Sequence, residues 1–168
     1  MLANDWEKTI NVNLTGTFNM CNIIAPIMKR QRYGRIINVS STAGQRGEAF
    51  YSHYIAAKGG IISFTKSLAS ELIKNGVWVN CIAPGWVGTD MISHVLKKKN
   101  QRRKISESIP RGNIAKSEEI AGPIVFLTSN LSNHIVGEIL NIDGGSLLLL
   151  IEKCAFFFLF LAFFISLL

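Results

Sequence analysis

The sequence is poor in the residues that build disulfide scaffolds and metal sites. It has three cysteines and three histidines among 168 residues, and they share no ligand spacing: Cys21, Cys81, Cys154, His53, His94 and His134. A disulfide framework and a CxxC zinc site are therefore excluded, and no metal role is expected for the histidines. The cysteines suit a reducing compartment. No apolar run follows the start, where Asp5, Glu7 and Lys8 occur at once, so no secretory signal is expected.

Charged residues are also few, at 17%, whereas apolar residues make up 48%, enough for one domain with a core. Six of the seven surplus positive charges lie within residues 97–104, here called the basic segment: Lys97, Lys98, Lys99, Arg102, Arg103 and Lys104. Because the remaining chain has no second basic patch and no aromatic interleaving, no nucleic-acid partner is expected. The basic segment is either a solvated flexible lid or a contact for an acidic carrier protein or a phosphorylated substrate.

Helical and strand patterns alternate along the chain. Apolar residues recur at helical spacing over 5–32, over 54–73 and in a third stretch that starts at Ser117. A serine is typical of the residue that caps the start of a helix. Short β-branched runs predict strands over 35–40, 77–82 and 137–142, and the small residues of 41–50 predict a loop. This alternation predicts a parallel sheet covered on both faces, with a site at the carboxyl ends of the strands.

Tyr54 and Lys58 are the most informative pair. Residues four apart share one helix face, so the ammonium can lie near the phenol. A free tyrosine has a pKa of about 10, and lowering it by about 3 units requires about 4 kcal/mol, which a lysine and a cationic cofactor ring could supply. The alternative is a surface tyrosine beside a solvated lysine. Tyr51 competes with Tyr54 but has no lysine four residues later.

Other polar residues occupy positions where chemistry is expected. Ser41 follows the first strand, where a hydroxyl can meet a substrate, although Ser40 is an equal alternative by residue type. Asn13 lies within an otherwise apolar helix face, with Asn11 as its rival and a role in bridging buried backbone groups as the alternative. The segment 83–90, with the letters APGWVGTD, follows the second strand.

Five strings in fixed order carry a resemblance to a known family: NVNLTG, GRIINVSSTAG, YxxxK, VNCIAPGWVGTDM and GEILNIDGG. On these strings, residues 1–146 resemble the short-chain dehydrogenase/reductase family, and within it most closely the 3-oxoacyl-acyl-carrier-protein reductases. The resemblance implies a Rossmann-like doubly wound parallel sheet of the α/β class, incomplete here, with the last three strands and their helices. It also implies an NAD(P)-dependent oxidoreductase that reduces the ketone of a small-molecule or acyl-carrier-bound substrate to a secondary alcohol.

The same resemblance implies roles for individual residues. Tyr54 is the general acid for ketone reduction and the base for alcohol oxidation, and Lys58 lowers its pKa. Ser41 holds the substrate oxygen, and Asn13 keeps a water in the proton relay. The cofactor is NADP or NAD, with NADPH slightly favoured, and its ligands are Tyr54, Lys58, Pro84, Gly85, Val87 and Thr89.

The chain departs from the family in its first part. It has no glycine-rich turn for the pyrophosphate and no residue that selects NAD or NADP, since family members carry roughly 90 to 100 residues ahead of this start. We therefore expect that this chain alone does not transfer hydride and that its first strand presents an unpaired, aggregation-prone edge. Complete family members are commonly homo-tetramers. The alternative function is that of an inactive fragment that joins full-length subunits.

Residues 147–168, here called the apolar tail, lie outside the resemblance. The uncharged run of 14 residues from Ala155 is shorter than the roughly 20 needed to span a bilayer. Three interpretations compete: translated non-coding sequence, favoured by Phe and Leu repetition without periodicity, a membrane-anchoring tail, and a partner-binding segment. A cytoplasmic location is expected, with membrane contact through 147–168 as an alternative.

Overall fold

The computed structural model describes residues 1–148, and these contain a sheet of three parallel strands. The strands are β1 (Gly34–Val39), β2 (Val77–Pro84) and β3 (Ile139–Ile142), in the order β1-β2-β3. Gly34 is paired with Val77 at one end of the sheet, and Pro84 with Ile142 at the other. The predicted α/β class and the incomplete parallel sheet are confirmed. Strand β2 extends two residues further than predicted, and β3 begins two residues later.

Residues 1–148 contain seven α-helices: α1 (Ala3–Ile10), α2 (Gly16–Gln31), α3 (Ala43–Arg46), α4 (Ser52–Leu72), α5 (Ser93–Leu96), α6 (Lys99–Glu107) and α7 (Ser117–Thr128). Single 3-10 turns occupy Ile73–Asn75, Asp90–Ile92 and Asn130–Ser132. The predicted long helices are present, but α3 lies inside the predicted loop 41–50, and α5 and α6 fall in a stretch recognised only as polar and basic. Within the described part of the chain, no helix combines the length and the apolar character needed to cross a bilayer. The apolar tail beyond Leu148 lies outside the described residues.

The first helical stretch is interrupted by one π-helical turn, Asn11–Thr15, between α1 and α2. The helical periodicity predicted the stretch but not this wider turn. Its hydrogen bonds skip five residues rather than four, and such turns occur frequently at functional sites. The turn contains Asn13, whose backbone oxygen accepts a hydrogen bond from the Thr17 hydroxyl at 2.7 Å. The widened turn therefore has a side-chain partner that stabilises it.

Helices cover both faces of the sheet. Helices α2 and α4 bury one face, where the core consists of Cys21, Ala25, Ile36, Ala69, Leu72, Val77 and Val79. Helix α7 packs on the other face against β1 and β2, with Leu127 fully buried. Strand β2 is central and its residues from Val79 to Ala83 are all buried. Because each face of the sheet has its own helices, the predicted doubly wound arrangement is confirmed.

A buried polar chain ties α2, β1 and α4 together. The Asn38 amide on β1 donates to the Thr65 hydroxyl at 2.9 Å, and this hydroxyl donates to the Ile61 carbonyl oxygen at 2.8 Å. The Cys21 thiol approaches the Asn38 oxygen at 3.6 Å. Burial raises the pKa of the Cys21 thiol, so it stays protonated and able to donate. Each polar group in this part of the core thus has a partner, as burial requires.

The start of α7 differs from the sequence prediction. Ser117 is the first residue of the helix, and the residue that flanks it is Lys116, whose side chain makes no capping hydrogen bond. Instead, the Glu119 carboxylate accepts the backbone N–H of Lys116 at 2.8 Å and pairs with Arg111. These two interactions lower the pKa of Glu119 below its ordinary value. The prediction of Ser117 as the cap was therefore wrong, whereas an early acid does stabilise this end.

We expect Glu119→Gln to remove part of the acid sensitivity of the fold. A carboxyl group with a lowered pKa contributes stability above its unfolded pKa of about 4.5 and loses it as the pH falls through the folded value. Urea unfolding between about pH 7 and pH 3 should therefore show a shallower fall for Glu119→Gln than for the parent. Glu118→Gln is the matched control, because Glu118 forms no ion pair among the described residues. Equal slopes for all three proteins would contradict this account.

Candidate active site

The three loops that leave the carboxyl ends of the strands are joined by backbone hydrogen bonds. Ser40 N donates to Ile82 O at 2.8 Å, and Thr42 N donates to Pro84 O at 3.0 Å, so the β1 loop stays paired with β2. On the other side, Gly85 N donates to the oxygen of the last residue of β3 at 3.0 Å. These bonds extend the ladder past the strand ends. They hold the three loops at one edge, where sequence analysis placed the site.

Tyr54 and Lys58 lie on the face of α4 that meets this edge. The Lys58 Nζ lies 5.7 Å from the centre of the Tyr54 ring, and it donates a hydrogen bond to Val39 O at 3.1 Å. Burial of this ammonium lowers the pKa of Lys58 below its ordinary value. The predicted proximity of the Tyr54 ring and the Lys58 ammonium is present. The ammonium is held in place by its hydrogen bond to the last carbonyl oxygen of β1.

Helix α4 approaches the loop after β1 very closely, and glycines make this possible. A Cβ at Gly44 would lie 2.9 Å from the Gly59 backbone nitrogen, and one at Gly60 would lie 2.8 Å from Leu14. No role is predicted for these glycines from the sequence. Two adjacent glycines inside a helix are unfavourable by propensity, so Gly59 and Gly60 were a signal that close packing occurs there. Through them, α3 and the π turn are both seated against the Tyr54 helix.

The two neighbouring serines have different environments. The Ser40 hydroxyl donates to the Lys58 backbone oxygen at 2.8 Å, and Ser40 is only 3% exposed. Ser41 is half-buried, and its oxygen accepts the backbone N–H of Ala43 at 3.2 Å. The proton of the Ser41 hydroxyl is not used by that bond. Ser40 therefore has a structural partner, while Ser41 keeps a donor for a ligand at the strand edge.

Asn13 is half-buried in the π turn, and Asn11 is exposed. The Asn13 amide nitrogen donates to Thr9 O at 3.1 Å, one turn earlier. Among the described residues, no hydrogen bond joins the Asn13 side chain to Lys58 or Tyr54. The π turn that contains Asn13 packs against α4, the helix that carries Tyr54. The side-chain amide of Asn13, however, bonds within its own helix.

The segment after β2 forms a bend that is fixed from two sides. Val87 pairs with Ala115 in an isolated bridge, and Gly88 N donates to Ala115 O at 2.9 Å. Gly85 packs directly on the chain after β3, because a Cβ there would lie 2.9 Å from the Asp143 Cβ. Thr89 is exposed at the end of the bend. Four of the six predicted cofactor residues, Pro84, Gly85, Val87 and Thr89, therefore lie in this bend, here called the rim.

A cleft of about 300 Å³ lies beside this rim, lined by Trp86, Ile109, Arg111, Asn113, Asp143 and Gly144 among others. Asp143 directly follows β3. Its carboxylate accepts the backbone N–H groups of Gly145 and Leu147, both at 2.9 Å, and so closes the turn after β3. The Asp-Gly-Gly string itself is the signal for such a turn, since both glycines have positive φ.

Tyr51, the alternative to Tyr54, and His53 both lie at the start of α4. Tyr51 is exposed at the residue before the helix, and the residue four positions later is Ile55 and not a lysine. The His53 Nδ1 is buried and has no hydrogen-bond partner among the described residues. Residues 1–148 contain no cluster of three potential metal ligands.

Comparison with known proteins gives consistent matches. The family model described as Enoyl-(Acyl carrier protein) reductase matches residues 1–146. The chain is 43% identical over 141 residues to the 3-oxoacyl-[acyl-carrier-protein] reductase of Aquifex aeolicus. The aligned region covers 84% of this chain and 56% of that protein.

Solved structures match over similar lengths. The 3-oxoacyl-[acyl-carrier protein] reductase of Brucella melitensis aligns with a TM-score of 0.82 and 35% identity, over 86% of this chain and 54% of that one. Gluconate 5-dehydrogenase of Burkholderia cenocepacia, solved with NADP and tartrate, aligns with a TM-score of 0.84 and 27% identity, over 87% and 57%. The chain thus spans little more than half the length of these relatives.

Proposed function

Because the chain belongs to the short-chain dehydrogenase/reductase family, we propose that residues 1–146 form the catalytic part of an NAD(P)H-dependent reductase. Its substrate is the ketone of a 3-oxoacyl thioester, and its product is the secondary alcohol. The observation that carries this proposal is the Tyr54–Lys58 pair at the sheet edge, with Nζ 5.7 Å from the phenol ring. The names of the reductases from Aquifex and Brucella support the thioester substrate.

The donor set at the edge fits the nicotinamide end of the cofactor. Lys58 would hold the ribose together with Tyr54, and the rim of Pro84, Val87 and Thr89 would hold the nicotinamide. When bound, the cofactor supplies a hydride to the carbonyl carbon of the substrate. The 168 residues contain no glycine-rich turn for the pyrophosphate. The NADP in the Burkholderia structure supports NADP as the cofactor, with NAD as the alternative.

The residues of the chain carry the proton chemistry. The Ser41 hydroxyl donates a hydrogen bond to the carbonyl oxygen of the ketone and orients it toward Tyr54. As negative charge develops on that oxygen, the Tyr54 O–H bond breaks and the proton passes to the substrate, which becomes the alcohol. The phenolate that remains lies beside the Lys58 ammonium until a proton from solvent restores it. Asn13, in the widened turn, positions the water through which that proton arrives.

The proposed partners follow from the surface. The cations of the basic segment lie in α6 and just before it, in the part of the chain that joins Thr89 to the cleft residue Ile109, and an acidic carrier protein that presents the acyl group would bind them. Exposed apolar side chains on the outer side of α2 (Met20, Ile23) and of α7 (Val125, Phe126) support assembly as a homo-tetramer. The free thiols of Cys21 and Cys81 suit a cytoplasmic location.

A chimera tests the proposal. Residues 1–146 replace the matching segment of the Aquifex reductase, so that the rest of the fold is supplied by a complete relative. We expect NADPH-dependent reduction of acetoacetyl thioester by the chimera, and we expect Ser41→Ala to lower kcat/KM by about 10²-fold, since it removes one donor to the developing oxyanion. A chimera that shows native circular dichroism and binds NADPH but reduces no ketone would overturn the proposal.

Ser40→Ala is the matched control for Ser41→Ala. Its hydroxyl bonds the Lys58 backbone oxygen, so its loss is expected to lower the thermal midpoint and to leave kcat/KM much closer to that of the parent. If Ser40→Ala lost the activity and Ser41→Ala kept it, the assignment of the substrate ligand would be reversed.

A further inference from the structure

We infer that Asn38 and Thr65 are positioning residues for the reduction proposed above, because their buried hydrogen bond fixes helix α4 on β1. The fixed helix holds Lys58 and Tyr54 in place at the carboxyl edge of the sheet. The inference rests on the proposed function for the reaction that the pair serves. Neither Asn38 nor Thr65 would contact the substrate, and both act through the placement of α4.

The pair lies in an interface that is otherwise apolar. The structure describes the whole of α4, and the buried residues of this helix are Ala57, Ile61, Thr65, Ala69 and Leu72. The buried residues of β1 are Gly34, Ile36 and Asn38. Thr65 is 0% exposed and Asn38 is 6% exposed. A buried polar pair of this kind favours one arrangement of helix and strand, because a shift of either element would leave both groups without a partner.

The hydrogen bonds of the pair leave it little freedom. The Asn38 amide nitrogen donates to the Thr65 hydroxyl at 2.9 Å, and the same hydroxyl donates to Ile61 O at 2.8 Å. The Thr65 oxygen therefore accepts from the strand and donates to its own helix. On the other side of the amide, the Cys21 thiol of α2 lies 3.6 Å from the Asn38 oxygen. The amide is thus held from α2 and from α4.

The pair is the second of two attachments between α4 and the end of β1. At the first, the Lys58 ammonium donates to Val39 O at 3.1 Å, and the Ser40 hydroxyl donates to Lys58 O at 2.8 Å. Thr65 follows Lys58 by seven residues, which is two turns on the same helix face and about 10 Å along the axis. A single attachment would let α4 tilt about it. Two attachments at this separation fix the direction of the helix, and with it the places of the Lys58 ammonium and the Tyr54 phenol.

Steady-state kinetics of variants of the reductase chimera test this inference. Thr65→Val keeps the shape of the side chain and removes the hydroxyl. We expect it to lower kcat by at least about tenfold, because a misplacement of about 1 Å can cost about 10²-fold. The KM for the ketone should change little. Thr65→Ser keeps the hydroxyl and should retain the activity of the parent chimera.

Two further variants separate the placement of α4 from the stability of the fold. Ser132 is also fully buried, and its hydroxyl donates to Leu127 O at 2.9 Å in α7. Ser132→Ala should therefore lower the urea midpoint about as much as Thr65→Val and leave kcat unchanged. The double variant Asn38→Leu, Thr65→Val replaces both partners by apolar groups, so it should regain stability and keep the low kcat. Recovery of kcat in the double variant, or an equal loss of kcat in Ser132→Ala, would overturn the inference.

Crystal structures of the full chain and of its Thr65→Val variant give a readout that needs no turnover. We expect the Lys58 Nζ to move by about 1 Å in the variant and to lose its hydrogen bond to Val39 O. An ammonium that stays in place would contradict the inference even if the chimera reduces ketones. A displaced ammonium together with an inactive parent chimera would support the placement role of the pair and overturn the proposed function alone.

Discussion

Tyr54→Phe in the reductase chimera is expected to lower kcat by about 10³-fold, the largest effect on activity that we predict. The substitution removes one oxygen and leaves the ring, so the contact with the Lys58 ammonium at 5.7 Å from the ring centre is preserved. What is lost is the acid that protonates the ketone oxygen. KM should change little, because the phenylalanine ring fills the same volume.

Tyr51→Phe is the control for this prediction. Tyr51 is also a tyrosine at the start of α4, but it is exposed and has no lysine four residues later, so its variant should keep the activity of the parent chimera. Steady-state assay of NADPH oxidation measures both variants. Similar losses from the two substitutions would show that packing at the start of α4, and not the Tyr54 proton, limits the reaction.

Gly76→Ala is expected to reduce the free energy of unfolding by about 3 kcal/mol, the largest effect on stability that we predict. Gly76 closes the 3-10 turn Ile73–Asn75 that follows α4, with φ +72° and ψ +30°, the left-handed conformation that an alanine adopts only with strain. A Cβ there would overlap the backbone carbonyl of Arg32, which cannot swing away as a side chain can. Arg32 closes α2, so the clash would separate two helix ends at the start of β1 and β2.

Gly137→Ala separates the effect of the left-handed backbone conformation from the effect of the overlap with the Arg32 carbonyl. Gly137 has nearly the same φ, +71°, but a Cβ there would meet the Ala69 Cβ at 3.4 Å, an ordinary contact. Its expected loss is therefore about 1 kcal/mol, from the backbone conformation alone. Urea unfolding of the three proteins gives the comparison. If both variants lost the same amount, the overlap with Arg32 would not contribute.

The sequence predicted the helices and the parallel sheet because their apolar patterns are long. Periodicity placed the start of α4 within two residues, at residue 54 instead of Ser52. The π turn at Asn11–Thr15 could not be predicted in the same way. No residue type marks a turn with one extra residue, and the hydrogen bond from the Thr17 hydroxyl to the Asn13 backbone oxygen also occurs in ordinary helices.

The short helix α3 shows a second limit. The residues of 41–50 are small and contain two glycines, which favour a loop by propensity. In the structure, Thr42 is tied to Pro84 through both its backbone nitrogen and its hydroxyl, and this anchor starts one helical turn. A contact between residues 42 positions apart decides the local conformation. Tertiary contacts of this kind leave no local pattern.

The same limit applies to the neighbouring serines. Sequence offers two hydroxyls at the end of β1, and residue type does not separate them. The separation comes from the approach of α4, which takes the Ser40 hydroxyl into a hydrogen bond with the Lys58 backbone. The roles of Tyr54, Lys58, Ser41 and Asn13 are predictions from the resemblance, and the Tyr54 and Ser41 variants above test two of them.

Lys58 is fastened twice to the end of β1, through its ammonium to Val39 and through its carbonyl to Ser40. Consecutive strand residues point to opposite faces, so inserting or deleting one residue in β1 would turn both anchors away at once. The length of β1 therefore determines where the Lys58 ammonium lies relative to the edge of the sheet. A change in β1 far from any polar residue would misplace the ammonium as surely as a substitution of Lys58 itself.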